Sequence, residues 1–195
     1  MNPAPQSHLP LRPTALAHLL LGGVIRAGDW AIDATAGNGH DTEFLAGCVG
    51  ELGKVLAFDV QAAAIASARE RVQLAGMGGR VEFFLESHSE LGRHAGEGSV
   101  AVVMFNLGYL PGQDHGLTTE PELTLLALQA ACKVLRSGGI LSVICYPGHP
   151  VGADEAAAVE AWACGLAREG WRVARYGAIG TRRPAPFLLW IAKPV

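Results

Sequence analysis

The chain has 195 residues and a mass of 20.4 kDa; half of its residues are hydrophobic and 17% are charged. This composition excludes intrinsic disorder of the whole chain and suffices to fill the core of one α/β domain. Fifteen basic against eighteen acidic side chains give a net charge of −3, which excludes a uniformly basic nucleic-acid-binding protein. No apolar run approaches the roughly 20 residues needed to span a bilayer, so we expect a soluble protein without membrane contact.

The N-terminal segment 1–13 holds four prolines and predicts an irregular arm. It lacks a basic start followed by an apolar core, so it is not a secretion signal, and cytoplasm is the expected compartment. Neither repeats nor an interior linker divide the chain, which predicts a single domain over 1–195. Four cysteines without a C-x-x-C pair predict reduced buried thiols and no metal site: Cys48, Cys132, Cys145 and Cys164.

Seven apolar runs along the chain predict β-strands. The run at 100–105 is apolar at every position and the run at 140–145 at every position except Ser142, which is typical of strands covered by helices on both faces. The predicted strands are 30–35, 54–59, 80–86, 99–106, 139–146, 171–176 and 187–191. Strands alternate with helices through the first five, which requires a mostly parallel sheet. A turn-rich segment at 177–185 joins the last two as a hairpin, so the last strand is expected to be antiparallel.

Amphipathic segments predict the intervening helices. Thr14 is expected to cap a first helix that ends near Gly22, with Leu16, Leu19 and Leu20 on its apolar face. Further helices are predicted over 61–75, 120–135 and 154–168. In the helix over 120–135, Thr119 and Glu122 can form a capping box. Its predicted buried stripe is Leu123, Leu126, Ala127, Ala130 and Val134.

The segment after the first strand has the pattern of a ligand-binding loop. Residues 33–42 read D-A-T-A-G-N-G-H-D-T, and Gly37 and Gly39 let the backbone turn sharply at a helix N-terminus. Asp59 ends the second strand, twenty residues after Gly39, where an acid can accept hydrogen bonds from the ribose hydroxyls of an adenosine ligand. The loop and the acid together predict an adenosine-containing cofactor.

The choice among adenosine cofactors depends on the rest of the motif. A dinucleotide fingerprint needs a third glycine where this chain has Thr42, and the G-K-[ST] of a P-loop is absent. Five parallel strands followed by an antiparallel hairpin favour the Rossmann-like class I methyltransferase fold, with S-adenosylmethionine as the cofactor. An NAD-dependent oxidoreductase and a non-catalytic RNA-binding module are weaker alternatives.

Polar residues at the ends of the other strands are candidates for the same site. Ser87 and His88 end the third strand and can reach an adenine ring; alternatively, Ser87 caps the next short helix and His88 is exposed. Gln61 is either a ribose or adenine contact or an ordinary helix-start residue. His149, in the loop after strand five, either faces the substrate or packs in a turn between prolines.

The loop after the fourth strand is the candidate reacting end, because that strand is predicted to lie beside the first. Asn106 and Tyr109 have the spacing of the N-P-P-Y motif of amino-group methyltransferases, although both prolines are missing. The alternative is a plain strand-to-helix loop. A dedicated general base is not required; if there is one, the candidates are Asp114, His115 and Tyr146.

Several of these strings resemble one bacterial family: 33–42, F-D-V-Q (58–61), S-H (87–88), F-N-L-G-Y-L-P-G-Q-D-H (105–115) and Y-P-G-H (146–149). The family was long labelled rRNA methylases and is now assigned as the tRNA 5-(aminomethyl)uridine methyltransferases. The resemblance implies N-methylation of 5-aminomethyl(-2-thio)uridine at the wobble position, in the anticodon stem-loop of tRNA. It places Asn106 and Tyr109 at the target amine, and it implies cofactor contacts by Gly37, Asn38, Gly39, Thr42, Asp59, Gln61, Ser87 and His88. An rRNA or small-molecule methyltransferase is the alternative.

Five arginines lie within sixteen residues near the C-terminus: Arg168, Arg172, Arg175, Arg182 and Arg183. A hairpin carrying them at one end of the sheet could contact tRNA phosphates, above all through Arg182 and Arg183. The alternative is a solvated arginine-rich face. His115, Tyr146 and His149 are further candidates for substrate contact, whereas His8, His18 and His94 are interpreted as structural or solvated. The sequence leaves open whether the protein forms a homodimer.

Overall fold

Seven strands form one sheet, flanked by five helices, in a computed structural model that describes residues 10–108, 121–148 and 150–195. The predicted contacts of Tyr109, His115 and His149, and the capping box of Thr119, lie outside these residues. The elements are α1 (Pro13–Gly22), β1 (Trp30–Asp33), α2 (His40–Val49), β2 (Lys54–Phe58), α3 (Ala62–Leu74), β3 (Val81–Phe84), β4 (Val100–Leu107), α4 (Pro121–Val134), β5 (Leu135–Cys145), α5 (Pro150–Arg168), β6 (Arg172–Gly177) and β7 (Phe187–Ala192).

The strand order is β3-β2-β1-β4-β5-β7-β6. Strands β1 to β5 are parallel to one another, and β7 is antiparallel to both β5 and β6. This confirms the expected mostly parallel sheet with a C-terminal antiparallel hairpin. The order reverses between β1 and β4, and in open α/β sheets ligands bind at the carboxyl ends of the strands around such a reversal.

Alternate residues of each central strand pack into two separate cores, one on each face of the sheet. Ala31 and Val102 pack with residues of α1 and α2 on one face, while Ile32 and Val103 pack with α4 and α5 on the other. Helix α3 joins the first face through Ile65 and Ala68. Both faces of the sheet are therefore covered, which explains why the central parts of β4 and β5 are almost entirely apolar.

Two helices present a different face to the sheet from the one predicted. Helix α1 begins at Pro13 after Arg12, so Thr14 is not its cap. Its buried residues are Ala17 and Leu21, which pack in the core on that face of the sheet, while Leu19 is 66% exposed. The predicted contacts of Leu19 and Leu20 are therefore wrong.

The buried stripe of α4 is also rotated relative to the prediction. Leu123 and Leu126 are exposed, whereas Leu128 and Ala131 are buried. The inward face includes the polar Thr124, whose hydroxyl donates to the buried Glu155 carboxylate at 2.7 Å. A hydrogen bond removes the cost of burying the threonine, and an apolar pattern alone could not anticipate it. The buried stripe comprises Thr124, Ala127, Leu128, Ala131 and Val134.

The expectation that all four cysteines are buried is wrong for Cys164. It lies on the outward side of α5 and is exposed, whereas Cys145 is buried in β5. Burial raises the pKa of the Cys145 thiol to about 12, so this cysteine stays protonated and acts as an apolar packing residue. None of the helices within the described ranges is long and apolar enough to cross a membrane.

Candidate active site

The loop between β1 and α2 depends on glycine at two positions. Gly37 has φ +49° and Gly39 has φ +78°, a region of backbone conformation that side chains disfavour. A Cβ added to Gly39 would lie 2.6 Å from the Cα of Ala68 on α3. Gly39 therefore lets α2 begin directly against α3, and the loop stays close to the carboxyl end of the sheet.

Asp59 lies at the centre of this edge, directly after β2. One oxygen of its carboxylate accepts from the Gly37 N–H and the other from the Gln61 N–H, each at 2.9 Å. The side chain thus joins the loop after β1 to the start of α3. Because a carboxylate oxygen has more than one acceptor position, both oxygens keep capacity for a ligand.

The outer side of the loop is held by Arg71 of α3. Its Nε donates to the Asn38 carbonyl at 2.7 Å, and its guanidinium pairs with Glu43 at 3.3 Å. Asn38 is exposed, so its side chain is free to face a ligand. No sequence pattern pointed to Arg71, because Asn38 and Arg71 are 33 residues apart.

Thr42 lies behind the loop, and this corrects its predicted role. It has no exposed surface, and its hydroxyl donates to the Asp33 carboxylate at 2.6 Å. The Thr35 N–H donates to the other oxygen of Asp33 at 3.1 Å. Thr42 therefore supports the loop from inside, because its side chain is fully covered and its hydroxyl is already bonded to Asp33.

Asp33 is fully buried, and its burial raises its pKa to about 7, with the nearby charges of Asp41 and Asp59 acting in the same direction. The hydrogen bonds from Thr42 and Thr35 oppose this rise. Because the folded state holds this proton more tightly than the unfolded chain, stability falls as pH rises from about 4 to about 7. Burial is the largest cause of the raised pKa, and the two neighbouring carboxylates add to it.

We expect the Asp33→Asn variant to lack this contribution to the pH dependence, since asparagine keeps an acceptor for Thr35 and carries no charge. Urea unfolding of both proteins at pH 5 and pH 8 measures it: the variant's stability relative to the parent should rise from pH 5 to pH 8. An equal difference in the free energy of unfolding at the two pH values would contradict the assignment.

The structure also defines the contacts of Ser87 and His88, which follow β3. Ser87 caps the short helix His88–Arg93, because its hydroxyl oxygen accepts from the Ser89 N–H at 3.2 Å. His88 is buried rather than exposed, with its ring hydrogen-bonded to the Ala34 backbone and edge-on to Phe105. Burial lowers the pKa of His88, which favours the neutral imidazole.

Two polar atoms at this edge have no hydrogen-bond partner. Within the described part of the chain, three buried side-chain atoms are unpartnered: Gln61 Oε1, His88 Nε2 and Ser142 Oγ. Leaving a buried acceptor or donor unpaired costs about 1–3 kcal/mol. Gln61 and His88 were both predicted as cofactor contacts. Gln61 lies two residues after Asp59, and His88 is bonded to the backbone of Ala34, directly after β1. No group of His, Cys, Asp or Glu among the described residues could hold a metal ion.

Asn106 lies near the end of β4, which pairs directly with β1. Its backbone N–H donates to the Thr35 hydroxyl at 2.8 Å, and its side-chain Nδ2 donates to the Asp41 carboxylate at 3.2 Å. The other oxygen of Asp41 lies 2.6 Å from Nε2 of His18. His18 was interpreted as structural or solvated, but the structure places it next to the candidate reacting end.

Tyr146 closes this end of the site after β5. Its ring packs on Gly108, where an added Cβ would lie 2.9 Å from the ring. Burial raises the pKa of Tyr146, the Asp41 charge raises it further, and the hydrogen bond with Asn106 opposes both. The phenol therefore stays protonated at neutral pH, which argues against Tyr146 as the general base.

The arginines of the β6–β7 hairpin do not form one patch. Arg172 pairs with Ala192 at the amino end of β5, whereas Gly177 and Cys145 both pair with Phe187 at the carboxyl end. Arg182 and Arg183 are exposed in the turn beyond Gly177, on the side of the candidate site. Arg168 and Arg172 lie at the opposite end, because β6 separates them from the turn.

Arg175 is already engaged within the hairpin. Its guanidinium pairs with Glu160 at 2.9 Å and lies over the Phe187 ring at 4.1 Å. The expectation that all five arginines share one end of the sheet is therefore wrong. The reason is strand register, which the composition of the segment does not encode.

The geometry places a glycine loop, an acid after β2 and an amide after β4 at one edge of a mostly parallel sheet. A family model described as "Putative rRNA methylase" matches residues 55–192. The chain belongs to this family. A relative from Arabidopsis thaliana, named "tRNA (mnm(5)s(2)U34)-methyltransferase, chloroplastic", is 38% identical over 192 residues, which cover 93% of this chain and 69% of that protein.

Solved structures of similar proteins agree with this membership. A protein from Clostridium thermocellum described as "putative rRNA-methylase" is 35% identical, with a TM-score of 0.90, and the match covers 95% of this chain and 99% of that one. A protein from Streptococcus mutans described as "a putative methyltransferase", in complex with SAH, is 32% identical with a TM-score of 0.84 and the same coverage of both chains. The fold of this rRNA methylase family member is the Rossmann-like class I methyltransferase fold, as the strand pattern predicted.

Proposed function

We propose that the chain is an S-adenosylmethionine-dependent methyltransferase that converts 5-aminomethyl(-2-thio)uridine into its methylaminomethyl form at the tRNA wobble position. The methyltransferase activity follows from the family and its relatives. The finer assignment to the wobble amine is supported by the name of the Arabidopsis relative and by Asn106. One observation carries it: an amide side chain at the end of β4, beside the glycine loop, whose NH2 group is already bonded within the protein.

The residues around the glycine loop, at the carboxyl end of the sheet, fit S-adenosylmethionine. Gln61 Oε1 and His88 Nε2 are buried without partners, which is expected of groups that an adenosine would satisfy. Asp59 has spare acceptor capacity for two ribose hydroxyls, and the positive φ angles of Gly37 and Gly39 turn the loop beside it at the carboxyl end of the sheet. When bound, the cofactor supplies an electrophilic methyl group on a sulfonium. We assign its contacts to Gly37, Asn38, Gly39, Asp59, Gln61 and His88, with Ser87 supporting His88.

The chain's own contribution to methyl transfer is alignment of a neutral amine. With its Nδ2 bonded to Asp41, the Asn106 side chain presents its Oδ1 to accept an N–H of the target amine. Tyr146 also hydrogen-bonds this amide, and an oxygen with two acceptor positions keeps one for the substrate. Such a hydrogen bond directs the nitrogen lone pair away from the amide, and holding the two reactants in line is the main source of rate in a displacement. Partial burial between Tyr146 and the β4 end favours the uncharged form of the amine.

The proposed partner is the anticodon stem-loop of a tRNA, which is modified in the cytoplasm. Arg182 and Arg183 are exposed in the turn at the site's end of the sheet. An added Cβ on Gly148 would lie 3.7 Å from the Pro184 carbonyl, so this turn approaches the loop after β5. We also propose a single domain, because the cores on both faces are built on the same seven strands.

Exchanging Arg182 and Arg183 together for alanine should raise KM for tRNA and flatten its dependence on salt. Each contact between a basic side chain and a phosphate contributes about 0.7–0.9 to the slope of log affinity against log salt, so the slope of the double variant should be smaller by about 1–2. The matched control is Arg168→Ala with Arg172→Ala, which removes the same charge at the opposite end of β6 and should keep the slope. Equal slopes in both double variants would exclude this turn as the RNA-binding surface.

The proposed reaction is tested by nucleoside mass spectrometry. Purified protein and S-adenosylmethionine are incubated with tRNA that carries 5-aminomethyluridine at the wobble position, and with the same tRNA carrying unmodified uridine. We expect one methyl group to be added to the aminomethyl nucleoside and none to the uridine, which lacks the accepting nitrogen. Methylation of rRNA in place of tRNA would support the alternative substrate.

A further inference from the structure

His18, Asp41 and Asn106 form a continuous hydrogen-bonded chain across three elements. His18 Nε2 lies 2.6 Å from one carboxylate oxygen of Asp41, and the Asn106 Nδ2 donates to the other oxygen at 3.2 Å. These residues come from α1, the first turn of α2 and β4. Asp41 is only 7% exposed, so its carboxylate depends on these partners for the hydrogen bonds that water does not provide.

The chemistry of the central carboxylate determines the orientation of the amide. An asparagine side chain has a donor end and an acceptor end, whereas an ionised carboxylate only accepts. Asp41 can therefore bond the NH2 end of Asn106 but not its oxygen, which must point elsewhere. In the reverse orientation, an N–H of Asn106 would face the target amine and occupy the lone pair that has to attack.

His18 restrains the carboxylate from the other side. Its ring stacks on Phe44 with 4.0 Å between centroids and 4° between planes, which limits its rotation. With Nε2 donating to one oxygen of Asp41, the other oxygen remains for Asn106. We propose that His18 and Asp41 are positioning residues that fix the Asn106 amide with its oxygen toward the target amine. This inference rests on the function proposed above.

A second histidine pair in the chain serves as a matched control. His94 Nε2 lies 2.9 Å from the Glu86 carboxylate, and its ring packs against Phe84 at 4.1 Å. The pair has the same chemistry as His18 with Asp41, but no hydrogen bond connects it with Asn106. Any effect that comes only from losing a histidine–carboxylate pair and its ring packing should appear equally in both.

The first experiment compares His18→Leu, His18→Gln and His94→Leu. We expect His18→Leu to lower kcat on the order of 10- to 100-fold, with the Kd of SAH and KM for tRNA nearly unchanged, because only the alignment of the amine is impaired. His18→Gln keeps an N–H donor and should recover most of the activity, while His94→Leu should leave kcat unchanged. Equal losses in His18→Leu and His94→Leu would overturn the positioning role.

A double-mutant cycle then tests whether His18 acts through Asn106. If it does, His18→Leu should lower kcat in the parent protein but cause little further loss in the Asn106→Ala background. If His18→Leu lowers kcat by the same factor in both backgrounds, the two losses multiply. His18 then acts by another route, and the proposal is wrong.

The positioning role also has a readout that does not depend on methyl transfer. The side-chain amide protons of Asn106, assigned by their absence from spectra of Asn106→Ala, should shift in ¹⁵N–¹H spectra of His18→Leu but not of His94→Leu. A wild-type protein that leaves 5-aminomethyluridine unmethylated would refute the proposed function alone. An Asn106 signal unchanged by His18→Leu would refute the positioning alone.

Discussion

Replacing Asn106 with alanine should reduce kcat on the order of 10²-fold or more, since the variant loses the acceptor that orients the amine. The backbone N–H of residue 106 keeps its bond to the Thr35 hydroxyl, so the end of β4 should hold its position. The Kd of SAH, measured by calorimetry, should change less than about twofold, because the amide belongs to the substrate side of the site. Single-turnover kinetics with saturating tRNA separate this loss from weaker binding.

Loss of SAH binding in the Asn106→Ala variant, with the thermal unfolding midpoint unchanged, would show that the amide belongs to the cofactor site instead. The Asn106→Asp variant adds a sharper comparison, because it places a second carboxylate against Asp41. It should lose turnover as completely as the alanine variant, since the side chain can no longer donate to Asp41.

Asp59→Ala should weaken SAH binding by about 1–3 kcal/mol, or roughly 5- to 150-fold in Kd. Two effects contribute. The ribose hydroxyls lose a charged acceptor, and the backbone N–H groups of Gly37 and Gln61 lose the carboxylate that holds the glycine loop against the start of α3. Isothermal calorimetry with SAH gives the value directly.

Asp29→Ala is the matched control for the Asp59 experiment. Asp29 also accepts a backbone N–H, from Arg26 at 2.8 Å, and it pairs with Arg136, but it lies before β1 at the opposite edge of the sheet. This control should lose stability without losing affinity for SAH. An Asp59→Ala variant that binds SAH like the parent protein would remove Asp59 from the cofactor site.

Much of the fold follows from local patterns in the sequence. The seven apolar runs match the seven strands to within a few residues, apart from the earlier start of β5 at Leu135. The hairpin direction follows from the turn-rich segment, without a helix, between its two strands. Residues that end parallel strands must meet at one edge of a sheet, so the grouping of Asp59, His88 and Asn106 could also be predicted.

The rest depends on contacts between distant parts of the chain. His18 precedes Asp41 by 23 residues, and Asp41 precedes Asn106 by 65, so no spacing rule connects them. The predicted faces of α1 and α4 were wrong because burial follows tertiary packing and hydrogen bonding as well as hydrophobicity. The division of the arginine cluster follows from the register of β6, which is set by its pairing with β7.

The position of β7 has a consequence for how the protein is made. It is the last strand in sequence, yet it lies between β5 and β6 and provides hydrogen bonds to both. During synthesis, β6 therefore leaves the ribosome before the strand that joins it to the sheet exists, and the edge of β5 stays unpaired until then. An exposed edge of this kind invites wrong pairing, so the nascent chain is vulnerable to aggregation until β7 has emerged.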